Sequence, residues 1–131
     1  MRGSVRRTTV LLSSLALVAG GTAVTAAPAW AGQDSSIADL RRGLVQWKHD
    51  GDKIRVKDTL KDGYWVEGHA RRVVNGQMTG RTFIVQARGG HNSEKTSTWD
   101  LREGTRVNIR MCYMKGNVEV WCTGWRTGGV A

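Results

Sequence analysis

Apolar side chains recur at every second position along much of this chain. Residues 106–113 alternate in this way, and shorter runs of the same kind lie at 53–57, 82–87 and 118–123. A strand places successive side chains on opposite faces, so this period is typical of half-buried β-strands. Short breakers rich in Gly, Asn and Asp separate the runs, at 49–52, 61–63, 75–76, 88–92, 102–104 and 116–117. The sequence therefore predicts an all-β fold, a single antiparallel β-sandwich or small barrel.

The first 31 residues differ from the rest. Arg2, Arg6 and Arg7 precede an apolar run at 10–21, and the tripeptide 29–31 matches an A-x-A cleavage site. The run is shorter than the roughly 20 apolar residues that a membrane-spanning helix needs. We predict a signal peptide cleaved after Ala31, by the general or the twin-arginine route, and a secreted extracellular protein without a membrane span.

The expected mature chain, 32–131, has 100 residues and is basic. Three arginines leave with the signal peptide, so 17 Lys and Arg face 11 Asp and Glu, a net charge of +6. This length predicts one domain, which we expect to be monomeric. Residues 36–44 match a capped helix, but Gly43 interrupts the helical spacing, and residues 44–47 fit a strand equally well. We predict a loose N-terminal arm over 32–42 and an antiparallel β domain over 43–131.

Cys112 and Cys122 are the only cysteines, and export to an oxidising space favours a disulfide between them. A directly opposed pair requires a hairpin centred on Asn117, which also pairs Tyr113 with Trp121 and Ile109 with Trp125. We predict a disulfide across the C-terminal hairpin, worth about 2–3 kcal/mol in the chain-entropy model.

The turn creates a conflict of register. Gly116-Asn117 also fits a two-residue type II′ turn, which would place the cysteines on opposite faces. A bulge of one residue would reconcile the turn with the disulfide.

Few residues indicate a metal or a cofactor. Neither a C-x-x-C motif nor a histidine pair lies near the cysteines. Aspartates at 50, 52, 58 and 62 have calcium-binding chemistry, but Asp and Gly are also what hairpin turns require. We expect no cofactor and no metal site.

Glu67, His69 and Arg71 form the candidate catalytic set. On a strand, Glu67 and His69 share a face, and a base, an acid and an anion clamp are the parts of a metal-independent nuclease. His69 fits a surface strand residue equally well. The sequence therefore leaves enzymatic activity open, with a non-enzyme favoured and a small secreted hydrolase as the alternative.

The charge and the tryptophans indicate binding. Arg106 and Arg110 share one strand face, where they form a basic stripe. Five tryptophans remain after residue 31, and we expect Trp47, Trp65 and Trp121 to fill the core and Trp125 to be the most exposed. The leading hypothesis is a non-catalytic extracellular binding module in which Arg106, Arg110 and Trp125 contact an anionic cell-envelope polymer or a saccharide. A third hypothesis is an inhibitor or effector of an acidic protein.

Three segments carry a family resemblance: W-K-H-D-G-D-K-I-R-V-K-D-T-L-K-D-G, R-E-G-T-R-V-N-I-R-M-C-Y and W-C-T-G-W. Over most of 43–125 the chain resembles small exported β-rich proteins common in actinobacteria. The resemblance implies a fold and export, and it carries no activity and no functional residue. Many such proteins have a further cysteine before the Asp-Thr step, where Lys57 stands here, so the resemblance implies that only the hairpin disulfide is kept.

Overall fold

A computed structural model describes residues 32–39 and 41–131, which form nine β-strands and no helix. The strands are β1 (Ser35–Asp39), β2 (Gly43–Lys48), β3 (Lys53–Asp58), β4 (Trp65–Val74), β5 (Gln77–Ala87), β6 (Glu94–Thr98), β7 (Arg106–Lys115), β8 (Val118–Cys122) and β9 (Arg126–Val130). The predicted signal peptide lies outside the described residues. In the part of the chain that is described, no helix has the length and apolar character to cross a membrane.

The strands form two antiparallel sheets with the apolar core between them. One sheet has four strands in the order β1-β2-β3-β6, and the other has five, in the order β5-β4-β7-β8 with β9 also paired to β7. Both sheets contribute fully buried side chains to one core cluster, among them Trp47 and Val56 from the first and Val66, Ile109 and Met111 from the second. The all-β prediction is confirmed, and two facing sheets make the fold a sandwich.

The two sheets approach each other closely at Gly68, in the middle of β4. A Cβ atom added at this position would overlap Val56 Cγ2 and lie 3.1 Å from Val45 Cγ1. Only glycine leaves room for these valines against the β4 backbone. Because side chains alternate along a strand, the neighbours Glu67 and His69 point away from the core.

The C-terminal hairpin contains both the turn and the disulfide that the sequence predicts. Lys115 pairs with Val118 across the turn, where Gly116 has a φ of 58°. The register then shifts by one residue, which brings Cys112 opposite Cys122 in a disulfide and Tyr113 opposite Trp121. The predicted bulge is therefore confirmed.

The predicted pairing of Ile109 with Trp125 is wrong. Thr123 still follows the cysteine register, since its N–H donates to Met111 O at 2.8 Å. One extra residue before Arg126 then shifts the ladder, and Ile109 pairs with Arg126 instead.

The prediction of a loose arm over 32–42 is also wrong. Strand β1 pairs with β2 along its whole length, from Ser35 opposite Trp47 to Asp39 opposite Gly43. Gln33 adds a two-bond bridge to Val130. A helix here would leave the β2 edge unpaired, whereas β1 as a strand covers it and places Ile37 against the core.

Candidate functional site

The side of the five-stranded sheet that faces away from the core brings most of the predicted site residues together. We call this side the outer face. In the ladder between β4 and β7, Glu67 lies opposite Cys112, His69 opposite Arg110, and Arg71 opposite Asn108. The next pair of the ladder on the same face is Val73 and Arg106. Directly opposed residues share a face, so the candidate acid–base pair and the candidate basic stripe belong to one surface.

A chain of hydrogen bonds crosses three strands of the outer face. Gln86 Nε2 on β5 donates to Glu67 Oε2 at 3.0 Å, and His69 Nε2 lies 2.5 Å from Glu67 Oε1. Arg110 Nε on β7 donates to His69 Nδ1 at 3.0 Å. Arginine has no acceptor, so His69 Nδ1 carries no proton and Nε2–H is the donor to Glu67. The imidazole is therefore neutral and links the Glu67 carboxylate to the Arg110 guanidinium.

Glu67 and His69 are buried, with exposed fractions of 5% and 4%. The expectation that His69 fits a surface strand position is thus wrong. The reason is that β4 lies between β5 and β7, and the side chains of both neighbours close over it. A general base needs a free lone pair within reach of a substrate, and both ring nitrogens of His69 are already occupied. In this geometry His69 supports Arg110 and has no free lone pair to offer to a substrate.

The disulfide lies next to His69 in this network. Cys112 Sγ lies 3.7 Å from His69 Nδ1. Ligand atoms of His69, Cys112 and Glu119 lie within 4.8 Å of one another, the spacing of a metal site. The Cys112 sulfur is bonded to Cys122, however, and cannot act as a thiolate ligand. Two remaining ligands are fewer than a protein zinc site uses.

Trp125 lies against Arg110 and is not the most exposed tryptophan. The guanidinium carbon of Arg110 is 4.8 Å from the centre of the Trp125 ring, which is half-buried. Trp47 is buried between the sheets as predicted and Trp65 is buried in a separate cluster with Cys112 and Met114, whereas Trp121 is 43% exposed. The core prediction for Trp121 is wrong because β8 is an edge strand whose side chains extend beyond the core.

A second arginine and tryptophan pair lies on the same face. The Arg88 guanidinium carbon is 4.3 Å from the centre of the Trp65 ring. Among the described residues, the ion pairs of arginine involve Arg42 and Arg55, and none involves the arginines of the outer face. The positive charge of this surface is therefore not compensated by a direct carboxylate contact in the described part of the chain.

The sequence prediction missed two members of this site. Gln86 belongs to the network although it is one polar residue among many on alternating strands. Arg88 stacks on Trp65 although it lies in a breaker segment. No local pattern marks either residue, because their roles depend on which strands lie beside β4.

Comparison of the chain with family models, with curated proteins and with solved structures found no match. The resemblance to exported actinobacterial proteins accordingly stays a prediction.

Proposed function

We propose that this protein is a secreted, non-catalytic binding module whose outer face binds an anionic polysaccharide. The observation that carries the proposal is the fixed position of Arg110. Its Nε is bound to His69, its guanidinium lies against Trp125, and its Nη groups have no acceptor among the described residues. An arginine held in this way loses little side-chain entropy when it binds a carboxylate or a phosphate.

The spacing of the basic residues favours a polymer over a single small anion. Arg106 and Arg110 are four residues apart on β7, which corresponds to roughly 13 Å along an extended strand. Both belong to an open sheet surface. A chain with repeating negative charges can contact both arginines at once, whereas a small anion can contact one.

Two features support an extracellular location. The Cys112–Cys122 disulfide is typical of proteins that fold in an oxidising space. The predicted signal peptide gives the route. Together they favour binding of the polymer in the cell envelope or in the medium.

The test is a titration of the purified protein with polygalacturonate, a polymer of carboxylate-bearing sugars, and with dextran as its neutral counterpart. We expect polygalacturonate to bind the outer face. The double variant Arg106→Ala/Arg110→Ala should bind it at least about tenfold more weakly, because each lost charge-assisted hydrogen bond is worth about 1.5–3 kcal/mol.

The matched control is the double variant Lys53→Ala/Lys57→Ala. These lysines have the same spacing on β3 and lie on the four-stranded sheet, so the variant removes the same charge from the other side of the molecule. If both double variants lose the same affinity, binding depends only on the net charge of the protein, and this result would contradict an outer-face site. Failure of the wild type to bind polygalacturonate would contradict the proposed function.

A further inference from the structure

A second surface lies at one end of the sandwich, where three segments meet: the turn after β1, the loop between β3 and β4, and the hairpin of β7 and β8. They line a cavity of about 550 Å³ that includes Arg42, Asp62, Tyr64, Tyr113, Val120 and Trp121. We call it the loop-end pocket. Tyr113 and Trp121 are paired across the hairpin next to the outward-facing Cys112–Cys122 pair. The pocket therefore opens on the opposite side of this hairpin from the outer face.

Aromatic rings form much of the wall of this pocket. The ring centres of Tyr64 and Tyr113 are 6.1 Å apart, and those of Tyr113 and Trp121 are 6.5 Å apart. Trp121 is 43% exposed and Val120 is 53% exposed. An exposed indole beside further rings is costly to leave in water, and it presents an electron-rich face to polarised C–H groups.

Arg42 is held over two of these rings. Its guanidinium carbon lies 5.2 Å from the centre of Tyr113 and 4.9 Å from the centre of Trp121. Its nearest carboxylate contact is long, 3.9 Å from Nε to Asp39 Oδ2. The guanidinium makes no hydrogen bond among the described residues. It is a planar set of donors, oriented by stacking and free to bind.

The pocket is also lined by a carboxylate that can accept hydrogen bonds and by a tyrosine hydroxyl. Asp62 Oδ1 accepts a hydrogen bond from Tyr64 N at 3.0 Å, and Oδ2 has no partner among the described residues. The Tyr113 hydroxyl is buried and also lacks a partner there. Burial, followed by the negative charge of Asp62, raises the pKa of Tyr113, so its hydroxyl stays protonated and able to donate.

These groups together define the chemistry of a ligand. The Asp62 carboxylate would repel a simple anion. An apolar side chain in the pocket would leave the charges of Arg42 and Asp62 without a hydrogen-bond partner. Hydroxyl groups both donate and accept, and the C–H face of a sugar ring packs on an aromatic face. We propose that the loop-end pocket binds a neutral sugar ring, packed against the part of Trp121 that Arg42 leaves exposed, with its hydroxyls hydrogen-bonded to Arg42 and Asp62. This site is independent of the proposed outer-face function.

The test uses cellohexaose, chitohexaose and isomaltohexaose as probes of the purified protein, with tryptophan fluorescence and calorimetry as readouts. We expect at least one of them to saturate the protein below about 10 mM. Trp121→Ala and Arg42→Lys should each weaken that binding at least about tenfold, the first by removing the stacking face and the second by removing the planar donor fork.

The control is Val74→Ala, which shortens an equally exposed apolar side chain on β4 and should bind as the wild type does. Circular dichroism and urea midpoints establish that all variants are folded. The proposal is overturned if no hexasaccharide saturates the protein, or if either pocket variant binds as tightly as the wild type. Saturation of the pocket by polygalacturonate alone, lost in Trp121→Ala, would overturn it in favour of an anion site.

Discussion

At the scale of single residues, Glu67 and His69 show how burial changes the role of a residue type. The same two side chains in an open cleft would form an acid–base pair. Here His69 is neutral and its two ring nitrogens are bonded to Glu67 and Arg110. The pair therefore orients Arg110. In the proposed function it is Arg110 and Trp125, and not Glu67 and His69, that contact the ligand.

Removing His69 should destabilise the fold. His69→Ala leaves the Glu67 carboxylate buried without its closest partner and frees Arg110 Nε. A hydrogen bond to a charged group is worth about 1.5–3 kcal/mol, and we expect a loss of that size. The free energy of unfolding in urea measures the loss. The control Ile84→Ala changes the residue opposite His69 on β5, which is 48% exposed, and should lose less than about 1 kcal/mol. Equal losses in the two variants would show that the network contributes no stability.

Replacing Tyr113 should not destabilise the fold, in contrast to replacing His69. Its hydroxyl has no hydrogen-bond partner among the described residues, and a buried unpaired hydroxyl costs about 1–3 kcal/mol. Tyr113→Phe should therefore be at least as stable as the wild type in thermal unfolding. Tyr64→Phe, in the neighbouring ring of the pocket, serves as the comparison. A loss of more than about 1 kcal/mol in Tyr113→Phe would reveal a hydrogen bond to this hydroxyl.

At the scale of elements, the two ends of the described chain close the sandwich. Strand β1 covers the β2 edge, and β9 extends the ladder of β7 beyond β8. The Gln33–Val130 bridge joins the two ends across the sheets. These contacts link segments almost a hundred residues apart, so the arm adds to the stability of the whole fold.

Asp34 fixes the start of β1 and gives this element a pH dependence. It accepts hydrogen bonds from His49 N at 2.9 Å and from Lys48 Nζ at 3.0 Å. The backbone bond from His49 is the main reason why the pKa of Asp34 falls from 3.8 to about 2. Because the folded pKa is the lower one, this contribution to stability is present above pH 3.8 and is lost as the pH falls towards about 2.

We therefore expect Asp34→Ala to be less stable than the wild type near neutral pH and to approach it in acid. Urea midpoints measured through this pH window test the expectation. Asp100→Ala removes an exposed carboxylate after β6 and should show no such convergence. A wild-type advantage over Asp34→Ala that persists unchanged below the window would contradict the assignment.

At the scale of the whole molecule, the two proposed binding surfaces differ in their charge. The arginines of the outer face make no ion pair with a carboxylate of the described residues, while the loop-end pocket is lined by both Arg42 and Asp62 beside aromatic rings. They also lie on opposite sides of the β7–β8 hairpin. Such an arrangement allows one small module to hold a charged polymer and a neutral sugar at the same time.

Salt should separate the two surfaces. Polygalacturonate binding should weaken at least about tenfold for a tenfold rise in salt, since each arginine contact releases counterions. Hexasaccharide binding should change little, because the stacking and hydroxyl contacts involve no net charge. Calorimetry at several salt concentrations gives both slopes. Equal slopes would indicate that both ligands bind the same charged surface.

The sequence by itself determined several local parts of this protein: the alternating strands β3, β5, β7 and β8, the turns, the disulfide and the hairpin bulge. Each depends on residues close together in the chain, such as Cys112 and Cys122, which can lie opposite each other beside the Gly116-Asn117 turn only with a one-residue bulge. The strand order, the pairing of β1 and the exposure of Trp121 depended on the tertiary structure. His69 and Arg110 are 41 residues apart, and they meet only because β4 and β7 are neighbours in the sheet. Alternation shows which face a side chain takes, but the partner across that face is set by packing between distant strands, which no local pattern encodes.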